Sequence, residues 1–166
     1  MNANVRNITE ALGKNSNFWA FTGSVALWYH SVNRNMEPRA PQDIDIIIEK
    51  SAPVRSYVIY VLITKLRWTM QSEGHDRITF KKGTKHLDLI FAGSSLGPSL
   101  NSVTRYRNSP PIVTIQALFN MKKMITPNAK TKANISRLRN LGGVTPRRSN
   151  RNNLTRAGRG KKLVWN

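Results

Sequence analysis

Three aspartates have the type and spacing of residues that bind divalent cations. Asp43 and Asp45 are two residues apart in an isoleucine-rich run, and Asp88 lies in the alternating run 85–91. Strand residues two apart point to the same face, so Asp43 and Asp45 share one. Clustered carboxylates repel one another, and their oxygens are ligands that Mg²⁺ prefers. The three are therefore candidate ligands for two ions that align the oxygens of phosphoryl transfer. The alternative is that Asp43 begins a strand while Asp45 and Asp88 face solvent.

A small-residue pair, Gly23-Ser24, separates an aromatic run (FWAFT) from an apolar helical run (VALWYHSV). At such a strand-to-helix turn, the first N–H groups of the helix are exposed and attract phosphate. Glycine permits close approach of a ligand to the backbone, and the serine hydroxyl can donate to a phosphate oxygen. The pattern thus indicates a phosphate site, with an ordinary strand-to-helix turn as the alternative.

The elements that must position these residues are predicted from apolar periodicity. Helical spacing predicts helices over residues 4–14, 25–32, 53–67, 111–125 and 130–141. Alternation predicts strands over 18–22, 43–49 and 85–91, and a hairpin of 68–71 with 77–81 around Gly74. Strands mixed with helices along one chain predict an α/β (α+β) fold with a mixed sheet flanked by helices.

The run FTGSVALWYHSVNRNMEPRAPQDIDIIIE resembles the signature of the nucleotidyltransferase fold of the DNA polymerase β superfamily. It is most similar to small bacterial and phage-type members with G-S-x-A-L, then a loop containing Arg and Pro, then D-I-D. The L-D-L at 87–89 falls where the family has its third carboxylate, and the helix ending in M-K-K at 121–123 resembles the basic helix that follows the core. The resemblance covers roughly residues 16–125.

The resemblance implies Mg²⁺-dependent transfer of a nucleoside monophosphate from an NTP to a nucleic acid or another hydroxyl acceptor, with release of pyrophosphate. It assigns two Mg²⁺ ions and catalysis to Asp43, Asp45 and Asp88, with Asp88 helping to activate the acceptor. It assigns the triphosphate to Gly23, Ser24 and Arg39. Two features depart from the family pattern: the spacing from Ser24 to Asp43 is long, and no acid occupies 132–134, where related members often have a Lys-Asp stretch.

The charge is divided unevenly along the chain, whose formal net charge is +19 over 166 residues. Residues 1–88 contain all eight acids and twelve basic residues, whereas residues 89–166 contain fifteen basic residues and no acid. From Gly142 the chain is rich in Gly, Asn and Arg without apolar periodicity, which predicts a flexible basic tail, 142–166, after a domain of residues 1–141. The candidate contacts to a polyanion are Lys122, Lys123, Arg147, Arg148, Arg151, Arg156, Arg159, Lys161 and Lys162.

This charge distribution leaves two classes of function open. A strongly basic chain usually contacts a polyanion, so we expect nucleic acid or another polyanion as a partner. The second class is a catalytically idle nucleotidyltransferase fold, held by its basic tail among protein partners in a large assembly such as a virus particle or ribonucleoprotein.

The amino-acid composition limits which cellular compartments and which kinds of chemical site are possible for this protein. The chain has no cysteine, which excludes disulfides, thiolate metal sites and cysteine nucleophiles. Its first twenty residues are too polar for a signal peptide, and its longest apolar stretch, 58–63, is far too short to span a bilayer. We therefore expect no membrane partner, and either a reducing compartment (cytoplasm or nucleus) or the interior of a virus particle.

Overall fold

In the computed structural model, which describes residues 2–124 and 128–142, helices pack against one mixed sheet. Five α-helices lie within these residues: α1 (Ala3–Leu12), α2 (Gly23–Asn33), α3 (Ala52–Tyr60), α4 (Ile115–Met124) and α5 (Ala129–Asn140). The strands are β1 (Trp19–Thr22), β2 (Ile44–Ile48), β3 (Thr69–Glu73), β4 (Arg77–Lys82), β5 (Lys85–Phe91), β6 (Val103–Thr104) and β7 (Ile112–Val113). A π-helical segment, Val61–Lys65, extends α3, and a short 3₁₀ turn, Leu100–Ser102, precedes β6.

The seven strands form one sheet in the order β3-β4-β5-β2-β1-β7-β6. The central strands β2 and β5 are parallel, as are β1 and β7, whereas the remaining pairs are antiparallel. This arrangement confirms the predicted α/β (α+β) class with a mixed sheet flanked by helices.

The sheet is buried on both faces at its centre. All four isoleucines of β2 are at most 2% exposed, and Trp19 of β1 is fully buried. A strand of alternating residues would need only one apolar face, but β2 has helices on both sides and is apolar at nearly every position. Asp45 is the exception in β2, and it occurs where the strand reaches the edge of this core.

Two predicted helices differ from those observed. The segment predicted as a helix over 111–125 begins helically only at Ile115, because Ile112–Val113 pairs with β1 as strand β7. The segment predicted as a helix over 53–67 is α-helical only to Tyr60 and continues as the π-helical segment Val61–Lys65. Strand β6 was not predicted, since two residues are too short for an alternating pattern.

A buried histidine connects α2 to β7. The Nε2 of His30 lies 2.7 Å from the Val113 carbonyl oxygen, and Nδ1 lies 2.8 Å from the Tyr106 hydroxyl. The carbonyl can only accept, so Nε2 carries the proton and the tyrosine hydroxyl donates to Nδ1. Burial lowers the pKa of His30, which favours this neutral form. His30 is therefore a packed residue of the interior.

Within residues 2–124 and 128–142, no helix is both long and apolar enough to cross a membrane. The predicted flexible tail lies almost wholly in 143–166, outside the described residues, so the division into a domain and a tail stays a prediction.

Candidate active site

Two of the predicted carboxylates face each other across adjacent parallel strands. Asp45 of β2 and Asp88 of β5 are register partners, and Thr22 at the end of β1 is the partner of Asp45 on its other side. Register partners point to the same face of a sheet, so Asp45, Asp88 and Thr22 form a row across three strands. Asp43 lies in a bend just before β2, close enough to Asp45 and Asp88 for its charge to raise the pKa of both.

The first residue of α2 lies directly against this row. Gly23 has a φ of 55°, a backbone conformation that favours glycine, and a Cβ there would lie 2.8 Å from Asp45 Cγ and closer still to Oδ2. The chain therefore turns from β1 into α2 at a point where any side chain would collide with the carboxylate. Glycine is required here for close packing against Asp45 as well as for the turn.

Burial and mutual repulsion disfavour the ionised form of these carboxyls. Burial raises the pKa of Asp45 to about 6, and the nearby charges of Asp88 and Asp43 add to the rise, against Lys122 and Lys130. Burial also raises the pKa of Asp88, where the charge of Arg77 opposes the shift. Ionised Asp45 and Asp88 are therefore unfavourable in the folded protein, and a bound divalent cation would stabilise them.

Two basic residues pair with the outer carboxylates. Lys130 Nζ of α5 lies 3.7 Å from Asp43 Oδ2, and Arg77 of β4 places a guanidinium nitrogen 3.4 Å from Asp88 Oδ2. Both pairs are partly exposed, and their contribution to folding is small for that reason. Neither partner was predicted from the sequence.

The predicted phosphate-binding residues lie together at the N-terminus of α2. Ser24 and Arg39 line a shallow pocket with Lys130 and Asn134 of α5. The Ser24 hydroxyl donates a 2.8 Å hydrogen bond to the Asp43 carbonyl oxygen, which joins the start of α2 to the approach to β2. The pocket therefore has two cations and a helix N-terminus beside Asp43. Phosphate binding by Gly23, Ser24 and Arg39 stays a prediction.

The two lysines at the end of α4 have different surroundings. Lys122 is half-buried and close enough to Asp45 for its charge to lower the pKa of that carboxyl. The ammonium of exposed Lys123 lies 5.7 Å from the centre of the Phe119 ring. Lys122 thus belongs with the carboxylates, and its predicted contact to a polyanion is untested. The remaining predicted contacts, Arg147, Arg148, Arg151, Arg156, Arg159, Lys161 and Lys162, lie outside the described residues.

The donor chemistry of the three aspartates fits Mg²⁺, although they do not form a closed ligand set. In the part of the chain that the structure describes, no three Asp, Glu, His or Cys side chains are close enough together to hold a metal ion as they stand. Asp45 and Asp88 are nevertheless paired in register, and burial disfavours their ionised forms, which a bound cation would offset. Metal binding by Asp43, Asp45 and Asp88 stays a prediction.

The basic partners of the carboxylates had unequal signals in the sequence. Arg77 is diagonal to Asp88 across the β4–β5 pair, so predicting a hairpin of 77–81 with 85–91 would have found it, whereas the predicted hairpin joined 68–71 to 77–81. Lys130 of α5 contacts Asp43 although the two residues are far apart in the chain, and periodicity does not reveal such a contact.

Comparison with known proteins places the fold. No protein-family model and no curated protein matches the sequence. The crystal structure of ANT(2'')-Ia in complex with adenylyl-2''-tobramycin is similar to this chain with a TM-score of 0.56 and 14% identity, over 84% of this chain and 87% of that one. The solution structure of the antibiotic-resistance factor ANT(2'')-Ia is similar with a TM-score of 0.59 and 14% identity, over 84% and 83%. The mixed sheet and its flanking helices are therefore a nucleotidyltransferase-like fold.

Proposed function

We propose that the protein is a nucleotidyltransferase that moves a nucleoside monophosphate from an NTP to a hydroxyl of a nucleic acid or another acceptor. The observation that carries the proposal is the pairing of Asp45 with Asp88 beside the Gly23 turn, with Asp43 and the cationic pocket of Ser24, Arg39 and Lys130 alongside. The likeness of the fold to ANT(2'')-Ia supports it.

The protein contributes to the reaction in two ways, by positioning the substrates and by neutralising the charge of the phosphates. The acceptor oxygen forms a bond to the α-phosphorus, the bond from that phosphorus to the bridging oxygen breaks, and pyrophosphate leaves. Asp88 takes the proton of the acceptor hydroxyl, while Ser24, Arg39 and the N-terminus of α2 hold the phosphates. Two Mg²⁺ ions bound by Asp43, Asp45 and Asp88 would supply the positive charge that such transfers need.

The function is tested by incubating the full chain with Mg²⁺, each of four α-labelled NTPs and acceptors that include RNA and small hydroxyl compounds. We expect labelled product from the wild type and a loss of at least about 100-fold for Asp43→Asn/Asp45→Asn, since loss of metal-site groups typically costs this much or more. A Glu10→Gln/Glu37→Gln variant, which removes two exposed acids, controls for net charge and should keep its activity. Transfer at the wild-type rate by the double variant would refute the proposal.

We also propose that the basic second half binds a polyanion, either nucleic acid or an acidic surface within an assembly. Residues 143–166 contain seven Lys and Arg and no acid. Deleting them should weaken binding to a 20-nucleotide RNA and flatten the dependence of log affinity on log salt, because fewer counterions are released. Binding can be measured by fluorescence anisotropy between 50 and 200 mM salt, roughly the range over which such contacts respond. An unchanged slope would contradict the proposal.

A further inference from the structure

A second pocket shares none of its lining residues with the cationic pocket of Ser24, Arg39 and Lys130. Its volume is about 530 Å³, within the range of small-molecule sites, and it lies between α4 and the loop that follows β5. Leu96 and Pro98 of that loop face Ala117, Asn120, Met121 and Met124 of α4 across it.

Two contacts place this pocket next to the candidate active site. Met121 Sδ lies 3.6 Å from the hydroxyl of Thr22, which is the register partner of Asp45. On the other wall, Gly97 packs on Ile90, which follows Asp88 by two residues on the same face of β5. Residues two apart on a strand are separated by about 7 Å. The pocket therefore begins within one small-molecule length of the paired carboxylates.

The walls of the pocket are held by backbone hydrogen bonds. In the loop after β5, the Gly93 N–H donates to the Pro98 carbonyl oxygen over 3.2 Å. At the start of α4, the Thr114 N–H donates to the Ser102 carbonyl oxygen over 2.8 Å. The first bond closes the loop on itself just after β5, and the second ties the segment after the loop to the start of α4, so the backbone holds both walls of the pocket.

The residues that line this pocket differ in chemistry from those of the cationic pocket. The described residues around it are serine, threonine, amide, small and aliphatic side chains, with neither a charged nor an aromatic residue among them. A nucleic acid needs cations for its phosphates and usually aromatic rings for its bases. A polycationic sugar such as tobramycin needs carboxylates, since buried charge is costly without a partner. Neither kind of molecule has its partners in this pocket.

We propose that this pocket binds the acceptor, and that the acceptor is an uncharged amphipathic alcohol of drug-like size. Its apolar part contacts Leu96, Met121 and Met124, its polar groups reach the serines and amides, and one hydroxyl extends toward Asp88, whose side chain is 30% exposed. The proposal rests on the transferase function and specifies its acceptor, with the cationic pocket left for the triphosphate.

Binding and transfer are measured separately in the test. Octyl β-glucoside below its micellar concentration is the neutral probe, and tobramycin and an RNA oligonucleotide are the charged ones. Binding is followed by NMR shifts in the full chain, and transfer by labelled NTP. The blocking variant is Asn120→Trp, an exposed position on the pocket wall, and the matched control is Asn7→Trp, an exposed asparagine on α1.

We expect the neutral probe to shift resonances of residues 94–98 and 114–124, to bind at least about tenfold more weakly to Asn120→Trp, and to bind Asn7→Trp as it binds the wild type. We also expect the neutral probe to be labelled by transfer from the labelled NTP, and the charged probes to remain unlabelled. Absence of shifts there, or stronger binding of tobramycin or RNA at the same residues, overturns the acceptor proposal. Failure to bind Mg²⁺ with any of the four NTPs would instead refute the transferase function, because that measurement does not involve the pocket.

Discussion

Replacing Asp45 by asparagine is expected to stabilise the fold at pH 8 while abolishing nucleotidyl transfer. The carboxyl is largely buried beside Asp88, and its pKa is raised from 3.8 to about 6. An acid whose pKa is higher in the folded state than in the unfolded state favours folding when protonated. Wild-type stability should therefore fall as pH rises from about 4 to about 6 and stay reduced above that.

The size of this effect follows from the shift. At about 1.4 kcal/mol per pKa unit, the ionised Asp45 costs the folded state about 3 kcal/mol at pH 8, and the neutral amide removes that cost. For a domain of this size the midpoint of thermal unfolding should rise by several degrees. At pH 4 the two proteins should unfold at nearly the same temperature. The measurement is thermal unfolding by circular dichroism between pH 4 and 8 without divalent cations.

Asp43→Asn is the matched control for this prediction. Asp43 carries the same charge close to Asp45 and Asp88, but its side chain is 52% exposed. The substitution should change stability little at either pH. Addition of Mg²⁺ should stabilise the wild type at pH 8 and have little effect on Asp45→Asn, because a cation at this site offsets the negative charge of ionised Asp45. Equal stability of the wild type and Asp45→Asn at pH 8 would show that the buried charge is already compensated.

The elements that carry the site were predictable because their patterns are local. Alternation in 85–91 and the isoleucine run at 43–49 predicted β5 and β2, whereas the parallel pairing that brings Asp45 beside Asp88 is seen only in the folded chain. Strand β7 was not predictable in this way, because Ile112–Val113 continues into the apolar pattern of α4 and becomes a strand only by pairing with β1. The acceptor pocket is also invisible in the sequence, since α4 and the loop after β5 meet only in the folded chain.

The contact between Gly23 and Asp45 is another feature that forms only in the folded chain and could not be predicted from the sequence. The sequence predicted a glycine that opens space for phosphate. The structure adds that the carboxylate of Asp45 fills the space where a side chain would be. The position is therefore constrained by the neighbouring strand as well as by the turn.

Gly23→Ala is expected to lower both stability and activity far more than its backbone strain alone would. An L-residue at a φ of 55° typically costs about 1–2 kcal/mol. The new Cβ would also meet the Asp45 carboxylate, which must then rotate away from Asp88 or push α2 off the sheet. Gly83→Ala separates the two effects, because Gly83 has a φ of 60° and open space around it.

Unfolding by denaturant should show a loss of about 1 kcal/mol for Gly83→Ala, with normal transfer activity, and a loss of more than about 3 kcal/mol for Gly23→Ala. Adding Asp45→Ala to Gly23→Ala should restore part of that stability, because the carboxylate is gone and only the Asp45 Cβ remains, 3.2 Å away. In a double-mutant cycle this appears as a coupling of about 1 kcal/mol or more between the two positions. Additive losses would mean that α2 shifts to accommodate the methyl group, and that Asp45 does not determine the choice of glycine at this turn.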